Sequence, residues 1–192
     1  MSAFARTRSL RHRRAGGIAL AMGLLLTMQA TAGDAARSRY SSLAEKDCAT
    51  APVAEEEEGR GSSSLCPGLA GYRLRLEEGD TRISIDVVAP TGQATPLDFP
   101  SVVGGGFSSL GDIAEWRFPA VGSRAPQALI VRLDISENPE RTEVVTSYLV
   151  VSRLGPGKPC VTAKIAPGKG QNEAARKAAD AAPAAPCLRP KA

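Results

Sequence analysis

Histidine and tryptophan occur once each in the 192-residue chain, as His12 and Trp116, and methionine three times. His12 and all three methionines (Met1, Met22, Met28) lie before residue 33. Residues 33–192 therefore hold no imidazole. That removes Ser-His-Asp and Cys-His nucleophiles, imidazole general bases and His-containing zinc sites. Aromatic residues make up only 4% of the chain, too few for a stacking surface that reads nucleic acid. No apolar run reaches the roughly 20 residues of a spanning helix. Phosphate loops, S-x-x-K motifs and helix-loop-helix calcium loops are missing as well. Gly157-Lys158 and Gly168-Lys169 lack the flanking residues of a phosphate loop and read as turns. Carboxylate pairs and Ser-Lys dyads need no imidazole, but none stands at a recognisable spacing.

The first 32 residues read as an address. Arg6, Arg8, Arg11, Arg13 and Arg14 precede the apolar stretch AGGIALAMGLLLTM at 15–28, and Ala30-Thr31-Ala32 follows. A basic region, a short apolar region and an A-x-A site form a Sec-type secretory signal, with cleavage expected after Ala32. The whole chain carries 24 Lys plus Arg against 20 Asp plus Glu, a net +4. Five of those bases and none of the acids lie in 1–32, so residues 33–192 carry 19 against 20, a net −1. The basic excess belongs to the address, and nucleic acid is not an expected partner. No basic amphipathic helix follows, so no membrane contact is expected after signal cleavage.

Cys48, Cys66, Cys160 and Cys187 all follow the signal. An even cysteine number in an exported chain points to disulfides. Four cysteines allow three connectivities, and chain proximity favours Cys48–Cys66 with Cys160–Cys187. A zinc tetrad is the rival, without a C-x-x-C pair to seed it. No cofactor and no metal are expected.

Residues 33–47 form an N-terminal segment, 48–188 a single disulfide-stapled β-rich domain, and 189–192 a tail. The acidic run Glu55–Glu58 reads as a solvated loop. Tyr72, Leu74 and Leu76 alternate with charged residues, and Ile83, Ile85 and Val87 with Arg82, Ser84 and Asp86 beyond a Gly79-Asp80 turn: a hairpin with one wet face. Residues 89–111 read as a long loop, with at most an edge strand at Val102-Val103 and a flexible turn at Gly104-Gly105-Gly106. Further strands are expected at 113–118, 127–135, 144–154 and 160–165. The third of these is apolar on both faces and hence central. The last places Val161, Ala163 and Ile165 on one face. Residues 171–182 shift to helical spacing, with Asn172 as cap and an all-alanine stripe. Cys187, tied to Cys160, would draw that helix across the second face of the sheet. The expected fold is α+β, mainly β: about six mostly antiparallel strands in a curled sheet or small sandwich, with one short C-terminal helix tied by a disulfide.

Several segments also stand in a recognisable order. They are Cys66-Pro67-Gly68 with Gly71-Tyr72, Glu78-Gly79-Asp80-Thr81-Arg82, Leu110 to Arg117, Ser147 to Val151, and Cys160 with the Asn172–Cys187 tail. Over roughly residues 40–188 the chain resembles a family of small exported alphaproteobacterial proteins of unknown function. The resemblance implies an envelope location, periplasmic or secreted. It brings no catalytic residue with it.

The function expected from these readings is a non-enzymatic binding or interaction domain of the bacterial envelope, such as an inhibitor or accessory protein. Its partner would be an envelope protein or glycan. Arg82, Glu115, Trp116 and Arg117 are the candidate partner-binding residues, since Trp and Arg anchor interfaces. The competing reading makes Trp116 core and pairs Arg117 with an acid. A carboxylate-dependent hydrolase or small-ligand binder built on Asp80, Asp112 and Glu115 is the alternative function, and a structural cell-wall-associated protein the second.

Overall fold

The computed structural model describes residues 37–50, 61–155 and 157–190. The secretory signal, its cleavage site, residues 33–36 of the N-terminal segment, the acidic run Glu55–Glu58 and residues 191–192 of the tail lie outside these.

Alternating apolar and polar residues build most of the strands. In chain order they are β1 (Ser38–Ser42), β2 (Ala49–Thr50), β3 (Ser62–Pro67), β4 (Arg73–Gly79), β5 (Arg82–Val88) and β6 (Ala94–Pro96). Then follow β7 (Ser108–Arg117), β8 (Ala128–Ser136), β9 (Val145–Arg153) and β10 (Cys160–Ile165). Among the described residues two α-helices accompany them, the single turn α1 (Phe99–Val102) and α2 (Gln171–Ala181). A short 3-10 helix at Glu45–Asp47 links β1 to β2.

These strands form two five-stranded antiparallel sheets, not one curled sheet. Sheet I has the order β1-β7-β8-β9-β10 and sheet II the order β2-β3-β4-β5-β6. The described strands number ten where about six were expected. The additional ones are short and carry no alternating apolar pattern: SRYSS, AT, SSSLCP and ATP. They form because neighbouring strands offer ladder bonds, so the signal lies in the partner and not in the segment. The expected edge strand at Val102-Val103 is replaced by α1, where Phe99 is buried.

The sheets pack face to face. Leu74, Ile85 and Val87 of sheet II share one core with Trp116, Leu129, Val131, Leu133 and Val150 of sheet I, and Phe99 and Val103 close its end. The opposite, outer face of sheet I buries Ala128, Ile130, Leu149 and Val151 under Ala175, Ala179 and Ala182 of the α2 segment. β9 is thus apolar on both faces because each face has its own cover. The layers run sheet II, sheet I, helix.

Both disulfides are those that proximity favoured, Cys48–Cys66 and Cys160–Cys187. Cys66 sits in the inter-sheet core, while Cys187 is exposed at the end of the helical layer. A bulge between Val161 and Ala163 changes the expected facing of β10. Val161 enters the inter-sheet core, whereas Ala163 and Ile165 pack beneath α2. The extra residue of a bulge shifts the pleat by one, which period-two counting cannot register. The helix cap also differs. Gly170, with φ 77°, occupies the cap position instead of Asn172.

The Gly104–Gly106 segment is packed, not merely a flexible turn. A Cβ on Gly106 would stand 1.9 Å from the Ser136 carbonyl oxygen, so only glycine admits this approach. The β4–β5 hairpin turns at Asp80 and Thr81, with φ 50° and 56°. A type I′ turn needs positive φ at both central residues; Asp tolerates it, whereas β-branched Thr adopts it under strain.

Candidate functional site

The four partner-binding candidates split between surface and interior. β7 presents alternate residues to its two faces. Ala114 and Trp116 point into the inter-sheet core. Glu115 and Arg117 point to the outer face, toward α2. Trp116 is fully buried; its indole N–H donates to Ser41 Oγ at 2.9 Å, and its ring tilts against Tyr72 at 6.1 Å. A partner cannot touch it in this fold.

Arg117 is also 0% exposed. Its Nη2 donates to both Asp180 carboxylate oxygens at 3.0 Å, and its Nη1 to Ser38 Oγ at 2.7 Å. Arg37 donates to the same Asp180 at 2.9 Å. One acid on the last turn of α2 thereby gathers two guanidinium groups from β7 and the start of β1. One turn earlier, Arg176 Nε donates to Glu115 Oε1 at 2.8 Å, and Ser38 Oγ donates to the same carboxylate. The Arg176–Glu115 hydrogen bond raises the Arg176 pKa above its ordinary value, against an opposing desolvation. Arg176 also donates to the Tyr40 hydroxyl at 3.3 Å.

Arg82 remains at the surface. It pairs with Asp80 across the hairpin turn, donates through Nε to Gly105 O at 2.6 Å, and lies 5.7 Å from the Phe107 ring centre. Its work is to tie the β4–β5 turn to the glycine segment. The three carboxylates of the alternative reading have separate surroundings. Asp80 pairs with Arg82, Glu115 pairs with Arg176, and Asp112 is exposed. Among the described residues no three His, Cys, Asp or Glu side chains gather as a metal site.

The arrangement that sequence reasoning missed is the part of the outer face that α2 leaves open. Opposite residues in an antiparallel pair share a face. Tyr40 stands opposite Glu115, and Ser42 opposite Ile113. Tyr40 (53% exposed) and Ile113 (59%) therefore lie diagonally on one face, with Glu115 and Arg176 at its border. Ile113 belongs to a stretch of β7 where the register against β8 shifts between Leu110 and Ala114. Ile113 keeps the facing of Glu115 and Arg117 by plain alternation, because the shift is by two residues. Exposed aromatic and aliphatic groups next to an arginine are the composition of an interface core. The signal for it was present as a lone Tyr in a Ser-rich segment, without any period to place it.

No family model, curated protein or solved structure matches the chain. Two disulfides are consistent with a protein outside the cytoplasm. No helix among the described residues is long and apolar enough to cross a membrane.

Proposed function

We propose that the chain is an exported binding domain of the bacterial envelope, not an enzyme, which docks an envelope partner on the open outer face of sheet I. The observation that carries this is the placing of exposed Tyr40 and Ile113 on one face of sheet I, with Arg176 held beside them by Glu115. Large apolar side chains grouped on a rigid sheet favour association because burying them releases water. The basic and apolar segments of residues 1–32 supply the export signal, with a new N terminus at Gly33. The resemblance to small exported alphaproteobacterial proteins agrees with periplasmic or secreted placement. An inhibitor or accessory subunit is the form of binding protein this build suits, by fold-level analogy.

The test is capture from an envelope extract. The full chain, tagged at its C terminus and exported by its own N-terminal segment, is compared with Ile113→Asp and Arg176→Glu variants. We expect a partner retained by the parent and by a Val121→Asp control, and lost with both face variants. Equal capture by all four, or nothing above background, contradicts the reading. N-terminal sequencing of the exported chain should begin at Gly33.

A further inference from the structure

Each five-stranded sheet has two edges, and three of the four are closed or shortened. β2 is two residues long, and β6 is three and ends in Pro96. Along β10, the Leu188 N–H donates to Val161 O at 2.8 Å and the Cys160–Cys187 bridge crosses. Proteins manage edge strands in these ways because free main-chain groups invite another strand.

β1 has no such protection among the described residues. Phe118 N–H donates to Arg37 O at 2.9 Å, and Leu43 N–H to Asp112 O at 2.7 Å. Alternate residues of an antiparallel strand bond to the same neighbour. Residues 37, 39, 41 and 43 therefore face β7, and Ser38, Tyr40 and Ser42 turn their main-chain groups outward. Ser38 is buried in the Arg117 cluster, so the open rungs are Tyr40 and Ser42. One side of this edge carries an unpaired base. Arg39 is exposed and lies 5.1 Å from the Phe118 ring centre, with no acid paired to it among the described residues; on the other face the bases and acids are matched, Arg176 with Glu115, while Asp47 accepts from Ser42 Oγ at 2.6 Å.

We infer that β1 is a strand-addition site that takes an extended acidic peptide segment of a partner protein. Resting on the docking face proposed above, the inference deepens it. The segment would pair its main chain with Tyr40 and Ser42, place acidic side chains by Arg39, and lay alternate side chains over Tyr40 and Ile113. Main-chain bonds supply attachment in this mode, and side chains supply selection.

The probe is a capped octapeptide of alternating Glu and Val, bound to the full chain. Controls are its Lys-Val counterpart and the same Glu-Val peptide N-methylated at every second residue. We expect the Glu-Val peptide to slow amide exchange of Tyr40 and Ser42 at least tenfold. Both control peptides should bind at least tenfold more weakly. Tyr40→Pro should weaken binding equally while leaving the unfolding midpoint near the parent's, because that N–H makes no bond among the described residues. If Tyr40→Pro does not fold, Arg39→Glu replaces it and should reverse the preference toward the Lys-Val peptide. Equal binding of the N-methylated peptide overturns the inference. So does protection confined to other strands. A dimer with protected β1 amides before peptide is added also overturns it, since a second copy would then hold the edge. Loss of envelope capture in Ile113→Asp without peptide pairing at β1 leaves the docking face standing and removes only the edge.

Discussion

The two faces of sheet I are covered by different physics. Its inner face meets sheet II through Trp116, Leu129, Leu133, Leu74 and Ile85, all fully buried. Its outer face meets α2 through alanines, whose methyl groups bury little area each. The helix compensates with charge and covalency: Arg117 and Arg37 on Asp180, Arg176 on Glu115, and the Cys160–Cys187 bridge. Gln171 adds hydrogen bonds from its amide to Ser147 O and Ile165 O, at 2.9 and 3.1 Å. Apolar packing is non-directional and tolerates neighbours, whereas a paired buried charge fixes one geometry. A thin alanine helix can thus be held in one register on a sheet that its side chains alone would not specify.

Substitutions of graded severity separate the two covers. A large effect is expected from Arg117→Ala, within about 3–5 kcal/mol, because it removes the fully buried partner of an ion pair and leaves Asp180 with Arg37 alone. The lower end applies, since Asp180 is 29% exposed. Chemical denaturation measures it, and a loss below about 1 kcal/mol would show that α2 is held otherwise. Leu133→Ala in the inner core should cost about 2–5 kcal/mol, through lost transfer energy and a cavity. The difference between the faces should appear in the pattern. Leu133→Ala should loosen every element, whereas Arg117→Ala should loosen α2 first.

Next comes Cys160→Ser with Cys187→Ser, at about 3 kcal/mol for a loop of this length. Scanning calorimetry of the double variant provides the check. The hairpin offers a gain instead. Thr81→Gly relieves a β-branched residue of positive φ and should stabilise by about 1 kcal/mol, read as a raised unfolding midpoint.

The smallest effect concerns pH and sheet II. Burial raises the Asp86 pKa above the ordinary aspartate value, only partly opposed by Arg75. The folded state then binds the proton more tightly than the unfolded chain. Stability must fall as pH rises from the ordinary value through the raised one. Asp86→Asn should flatten that part of the stability profile, and an unchanged slope would contradict the assignment.

How much of this was legible in the sequence follows the same division. Strands β4, β5, β8, β9 and β10 and helix α2 announce themselves by period, and the two disulfides by proximity. β1, β3 and β6 do not, since segments without alternation become strands only when a neighbour supplies the ladder. Alternation sets Arg117 on the face opposite Trp116, and that face is dry because Asp180, 63 residues later, covers it. Trp116 is an inner-face residue by the same alternation, and its single polar atom finds Ser41 on a strand with no pattern of its own. The exposed pair Tyr40 and Ile113 depends on a cross-strand diagonal, which has no local signature.

Native-state amide hydrogen exchange of α2 tests most directly whether the helical layer is a separately held cover. The amides of residues 175–181 should open at a free energy well below that of β8 and β9 once Cys160 and Cys187 are both serine and Asp180 is asparagine, with the inner strands staying protected. Exchange of α2 in step with β8 and β9 in that variant would mean that the alanine interface alone suffices, and would contradict the account.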